Sequence, residues 1–140
     1  MRVTEIYGLD QSTKLELPLF SSRVPAGFPS PGDDYIDQTL DLNELVKHPS
    51  DTFLVKVEGD SMINAGIHDG DILVVDRALE ADNNKVVVAN LDGELTVKRL
   101  SIKDTRVLLI PDNPKYEPIE IRPLSDFRIM GVVTFVIHKP

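Results

Sequence analysis

The chain has 140 residues, 41% of them hydrophobic, enough for one compact domain whose core needs no disulfide or metal staples. It contains no Cys, which excludes a disulfide scaffold, a thiol nucleophile and a thiolate metal site. A formal net charge of -8 and a pI of about 4.8 oppose a phosphate backbone, so direct nucleic-acid binding is not expected.

The opening residues, Met1 to Tyr7, lack the unbroken apolar stretch of a signal peptide, and no later apolar run approaches membrane-spanning length. A soluble, cytoplasmic protein without membrane contact, cofactor or metal is therefore expected. Residues 1–24 show no sustained period, although Leu15, Leu17 and Leu19 alternate as an added strand would. Pro25-Ala26-Gly27-Phe28-Pro29-Ser30-Pro31-Gly32 follows, with five of its eight residues Pro or Gly, and reads as extended and exposed. An arm thus precedes a domain, with the boundary between them within this segment. Residues 33–45 carry five acids (Asp33, Asp34, Asp37, Asp41, Glu44) and no base, the pattern of a solvated face. Within that run Asp41-Leu42-Asn43-Glu44 has the spacing of a capping box, and Pro49 ends the short helix it predicts.

From Thr52 onward the pattern is β. Strands are predicted over 52–58, 71–76, 85–91, 94–102, 106–110 and 127–138, with Asp92-Gly93 as a two-residue hairpin turn. Short strands closely spaced without alternating helices predict a mostly β domain of barrel-like or sandwich type.

The chemistry centres on Val57-Glu58-Gly59-Asp60-Ser61-Met62, where a strand-like run turns at Gly59 and presents one hydroxyl. A serine at a tight turn is a candidate nucleophile, because the turn projects the side chain and leaves backbone N–H groups for an oxyanion. All three residues of Gly59-Asp60-Ser61 also form ordinary turns. The nucleophile needs a base. His48 precedes a proline, His138 lies near the C-terminus and His68 reads as a loop residue, so a histidine triad has little support. Met62-Ile63 also breaks the G-x-S-x-G elbow. The other base is Lys98 in Glu94-Leu95-Thr96-Val97-Lys98, on the strand face opposite Leu95 and Val97. On spacing alone Lys98 reads first as an exposed strand lysine. To act near neutral pH its pKa must fall from about 10.4 toward 7.4, roughly 4 kcal/mol of differential stabilisation.

Phe28-Pro29-Ser30-Pro31, Gly59-Asp60-Ser61-Met62, Asp69-Gly70-Asp71 and Asp92-Gly93-Glu94-Leu95-Thr96-Val97-Lys98 together resemble the LexA/UmuD family of self-cleaving Ser-Lys peptidases, in order and spacing from about residue 18 onward. The resemblance implies a LexA-like catalytic domain of short bent sheets, with Ser61 as nucleophile, Lys98 as general base and Ala26-Gly27 as the scissile pair. Backbone N–H groups of Ser61 and Asp60 are the expected oxyanion donors. It further implies a homodimer, stimulation by a RecA filament on single-stranded DNA, and a UmuC-like, Y-family error-prone polymerase subunit as partner in the SOS response. The 26 residues before the scissile bond are too few for the helix-turn-helix domain of the repressor branch, which points to the UmuD-like branch. Ala26 and Gly27 are small and their prolines keep the segment extended, as a protease substrate must be. About 34 residues of chain reach roughly 110 Å, which permits cutting in cis or across a dimer. A non-enzymatic β module whose arm swaps between protomers is the alternative, and a signal peptidase would need a membrane anchor.

Overall fold

Val, Leu and Ile at alternating positions build strands that bury one face, and where the run is unbroken, as in Val86-Val87-Val88-Ala89, both faces are buried. The computed structural model describes residues 1–20 and 36–140, which form ten strands: β1 (Arg2–Tyr7), β2 (Glu16–Phe20), β3 (Ile36–Asp41), β4 (Thr52–Glu58), β5 (Ile72–Asp76), β6 (Val86–Leu91), β7 (Glu94–Lys103), β8 (Arg106–Ile110), β9 (Ile119–Glu120) and β10 (Phe127–Ile137). They fall into two units, one of Met1–Leu9 with Ser50–Pro140 and one of Asp10–Pro49.

In the larger unit the strand order is β1-β4-β5-β10-β6-β7-β8-β9, all antiparallel, and an Arg2↔Thr96 pairing joins β1 to β7. That pairing closes six strands into a barrel, from which β8 and β9 extend. One apolar cluster fills it and a second packs on the other face of the wall formed by β10, β6 and β7. Val55, Val57, Met62, Leu73, Val75, Val88 and Val97 belong to the first, and Val87, Ala89, Leu100, Leu109 and Val132 to the second. Each such side chain contributes about 1.5–3 kcal/mol when fully buried. Successive residues of β6 therefore serve different clusters, and β7 likewise has Val97 in one and Leu100 in the other. β10 must approach β5 closely at Gly131, where a Cβ would stand 2.7 Å from Val75 Cγ1 and 3.0 Å from the Asp76 carbonyl oxygen.

The smaller unit pairs β2 with β3 antiparallel, Leu17 opposite Leu40. Asp41 organises its end: Oδ1 accepts from the Leu15 and Asn43 amides at 3.1 and 3.0 Å, and Leu42 N donates to Leu15 O at 3.0 Å.

The mostly β reading holds, and the six predicted strands form with ends shifted by a residue at most. Three elements differ. The capping-box helix is a single 3-10 turn, Leu42–Leu45, because Asp41 caps Asn43 rather than the amide of Glu44 and is shared with Leu15. Residues without a sequence period form β1, and part of the acidic run forms β3. Short β9 was unmarked. The Pro-rich segment, Ala26, Gly27 and the boundary between residues 26 and 27 lie outside the described residues. Among those residues no helix is long and apolar enough to cross a membrane.

Candidate active site

Where β4 ends, Gly59 takes φ +102°, a left-handed conformation that favours glycine, and the chain turns. The turn is fixed from several directions. Gly59 N donates to Asp69 Oδ1 at 2.7 Å, and Gly70 N donates to Val57 O at 2.8 Å. Asp60 O accepts from Asn113 Nδ2 at 2.9 Å and from Ile63 N at 3.2 Å, while the Tyr116 hydroxyl donates to Asp60 Oδ1. Met62, fully buried, anchors the turn in the core, and its sulfur accepts from Asp112 N at 3.3 Å. Asp112 is itself gripped by Arg99, with Nη2 at 2.6 Å and Nε at 3.0 Å from Oδ2. Ser61 therefore sits 2% exposed on a braced turn.

Lys98 comes from β7, next to Arg99, and is 6% exposed. The reading of an exposed strand lysine is thereby corrected: Lys98 lies buried against the Ser61 turn. Lys98 Nζ donates to Ser61 Oγ at 2.9 Å, to Val97 O at 3.1 Å and to Thr96 Oγ1 at 3.2 Å. Burial pushes its pKa below the usual lysine value, opposed by a hydrogen bond with the Met1 amino group and by the charge of Glu94. The Met1 amino group, which donates to Ser61 Oγ, is itself lowered to about 5, first by burial and then by Lys98. A cleft of about 300 Å³ opens over the pair, lined by Met1, Arg2, Thr96, Glu94 and Tyr116.

A hydroxyl in contact with a desolvated amine is an arrangement suited to nucleophilic attack, since an amine with a depressed pKa can take the hydroxyl proton. The histidines are placed otherwise. His68 and His138 gather on Asp71, which accepts from His68 N at 2.7 Å and stands 2.6 Å from His138 Nδ1. His48 belongs to the smaller unit. Sequence reasoning missed Asp112, Asn113 and Tyr116, and it marked Asp69 and Thr96 only as parts of motifs, with no role of their own. Pro111-Asp112-Asn113-Pro114 reads only as a turn, with nothing to announce a brace for Ser61.

Several known proteins are similar to this chain over most of its length. Protein SamA of Salmonella typhimurium is 48% identical over 123 residues, 87% of this chain and 85% of that protein. Protein MucA of Escherichia coli is 45% identical over 120 residues, 84% of this chain and 82% of that protein. The LexA repressor of Stenotrophomonas maltophilia is 44% identical over 118 residues, 84% of this chain but 56% of that protein. The family described as Peptidase S24-like matches residues 18–134, which include both Ser61 and Lys98. With that match over most of its length, the chain belongs to the peptidase S24-like family.

Proposed function

We propose that the protein is a serine endopeptidase that cuts its own Ala26-Gly27 bond with a Ser61-Lys98 dyad. The observation that carries this reading is the 2.9 Å contact of Lys98 Nζ with Ser61 Oγ inside a buried site that lowers the lysine pKa. Neutral Lys98 takes the Oγ proton as Oγ attacks the Ala26 carbonyl carbon. The oxyanion falls to backbone N–H groups of Ser61 and Asp60. Lys98, now an ammonium, protonates the departing Gly27 amine, and water then hydrolyses the Ala26 ester by the same proton route in reverse. The arm, residues 1–26, is thereby released from the domain, residues 27–140.

In the cell, the family resemblance supports a cytoplasmic homodimer whose cleavage is stimulated by a RecA filament on single-stranded DNA. The truncated product then serves a UmuC-like, error-prone translesion polymerase in the SOS response. The net charge of -8 suits contact with the filament's protein rather than its DNA.

Two variants test the reading. Ser61→Ala deletes one oxygen and no core volume, so it should abolish the fragment that begins at Gly27 while leaving thermal stability near that of the parent. Gly27→Asp should block cleavage with the dyad intact, because a carboxylate must be desolvated on entering the site. Mass spectrometry of the incubated proteins reads both. A fragment beginning at Gly27 from Ser61→Ala removes Ser61 from the mechanism, and undiminished cutting of Gly27→Asp moves the scissile bond elsewhere.

A further inference from the structure

β1 stands where a peptide must pass to reach Ser61. It lies between β4, which leads into the Ser61 turn, and β7, which carries Lys98. On one side its ladder runs from Arg2↔Glu58 to Tyr7↔Leu54. On the other, Arg2 pairs with Thr96, and Met1 O accepts from Val97 N at 3.2 Å and Thr96 Oγ1 at 2.9 Å. A reacting carbonyl has to stand about 3–3.5 Å from the nucleophile. Met1 fills that approach, and its carbonyl uses the β7 donors that an incoming extended peptide would need.

We propose that the slot between β4 and β7 is a binding site for an extended peptide strand, held at rest by β1, which competes within the molecule against the segment to be cut. The proposal rests on the peptidase reading above and adds its regulation. β1 is suited to leave. Ile6 is 57% and Tyr7 43% exposed, the register breaks between Val3 and Glu5, and of Arg2–Tyr7 only Val3 packs on the core cluster. A strand that replaces β1 regains the backbone hydrogen bonds that β1 gives up, so the exchange is of like for like.

The absence of Cys allows a clean test. Arg2 and Glu58 face each other in register and their side chains already meet, so Arg2→Cys with Glu58→Cys places two thiols for a disulfide that ties β1 to β4. The oxidised double variant should stay intact, and reductant should restore cleavage, at or above the parent rate because the Arg2–Glu58 pair that helps hold β1 is gone. Val3→Glu puts a charge at the inward position of β1 and should raise the unstimulated rate about tenfold by freeing the slot. Equal cutting in the oxidised and reduced states overturns the competition while the peptidase reading stands. No cutting by the parent chain under the same conditions overturns the peptidase reading itself, a separate result.

A second cluster carries an independent inference. The Nδ1 atom of His68 is buried without a hydrogen-bond partner among the described residues, and Asp71 Oδ2 at 3.7 Å is too far to serve. His138 Nδ1 approaches the other oxygen of Asp71, the two rings lie 4.6 Å apart, and the three ligand atoms all fall within 4.8 Å of one another. Two imidazoles and a carboxylate suit a borderline divalent cation, and such an ion supplies the partner that the buried nitrogen lacks. We infer that His68, Asp71 and His138 bind a zinc-type cation that ties the end of β10 to the loop entering β5. Calorimetric titration of the full chain with Zn²⁺ should give one site per chain, and Co²⁺ should develop visible absorbance. His68→Ala and His138→Asn should each weaken binding at least about tenfold, with His48→Ala unchanged. Absence of a one-to-one site, or equal binding by His138→Asn, overturns it.

Discussion

Ser61 with Lys98, and Asp71 with His138, each join an oxygen to a nitrogen base within hydrogen-bond reach, and His68 stacks beside the second pair. Lys98 is 6% exposed and its pKa is driven down by burial, whereas the side chains of His68 and His138 remain 45% and 46% exposed. The imidazole is the better base by its ordinary pKa, yet it sits at the partly solvated cluster. The weaker candidate is the more deeply buried. On the proposed reading, desolvation rather than residue type is what suits Lys98 to accept a proton.

The sharpest way to break this contrast is to remove each base in turn. Lys98→Ala should lower the first-order rate of self-cleavage by about 10³-fold or more, and Lys98→Arg should be as inactive because guanidinium does not give up its proton. His68→Ala should stay within about twofold of the parent, being outside the proton path. Quantifying the fragment that begins at Gly27 over time decides it. Loss of activity in His68→Ala with retention in Lys98→Ala would reverse the assignment.

A second, graded effect is expected with pH. With neutral Lys98 as the proposed base, the rate should climb about tenfold per pH unit below its folded-state pKa, then level off. Because that pKa lies below the lysine value of about 10.4 in an unfolded chain, the unfolded state binds more protons between the two values. Stability contributed by Lys98 therefore rises with pH across that window. Rate profiles from pH 6 to pH 10, with thermal melts of Ser61→Ala alongside, measure both. A flat rate profile removes the lysine from the proton path.

The strands from β4 to β8 and β10 were legible because alternation and turn chemistry survive in a barrel wall. β1 was not: its exposure runs e-i-e-e-e-e, with a register break, so its strand character comes from the free edges of β4 and β7. Asp41 misled because its carboxylate serves Leu15, distant in sequence, as well as its own turn. Ser61 and Lys98 stood out as residue types within motifs, but their contact spans 37 residues and joins the turn after β4 to β7. Burial of Lys98 is likewise a tertiary property. Asp69, Asn113 and Tyr116 carry no periodic signal at all, since they act singly from loops. Ala26-Gly27 rests on the motif alone, outside the described residues.

The smallest effect tests the bracing of the serine rather than the base. Asn113 is 7% exposed, and its Nδ2 donates to the Asp60 carbonyl while Oδ1 accepts from Lys115 N at 3.0 Å. Asn113→Ala leaves the Asp60 carbonyl with Ile63 N as its remaining backbone donor, at 3.2 Å. A lost hydrogen bond of this kind costs about 1 kcal/mol, which for a chain of this size lowers the melting temperature by roughly 2–8 °C. If the turn must be held for Ser61 to meet Lys98, the cleavage rate should also fall, by about three- to tenfold, with the pH profile unmoved because Lys98 keeps its surroundings. A loss of stability with no change in rate would show that Met62 and Asp69 hold the serine well enough alone. A shifted pH profile would mean that the loop bearing Asn113 contributes to the desolvation of Lys98 as well as to the position of Ser61.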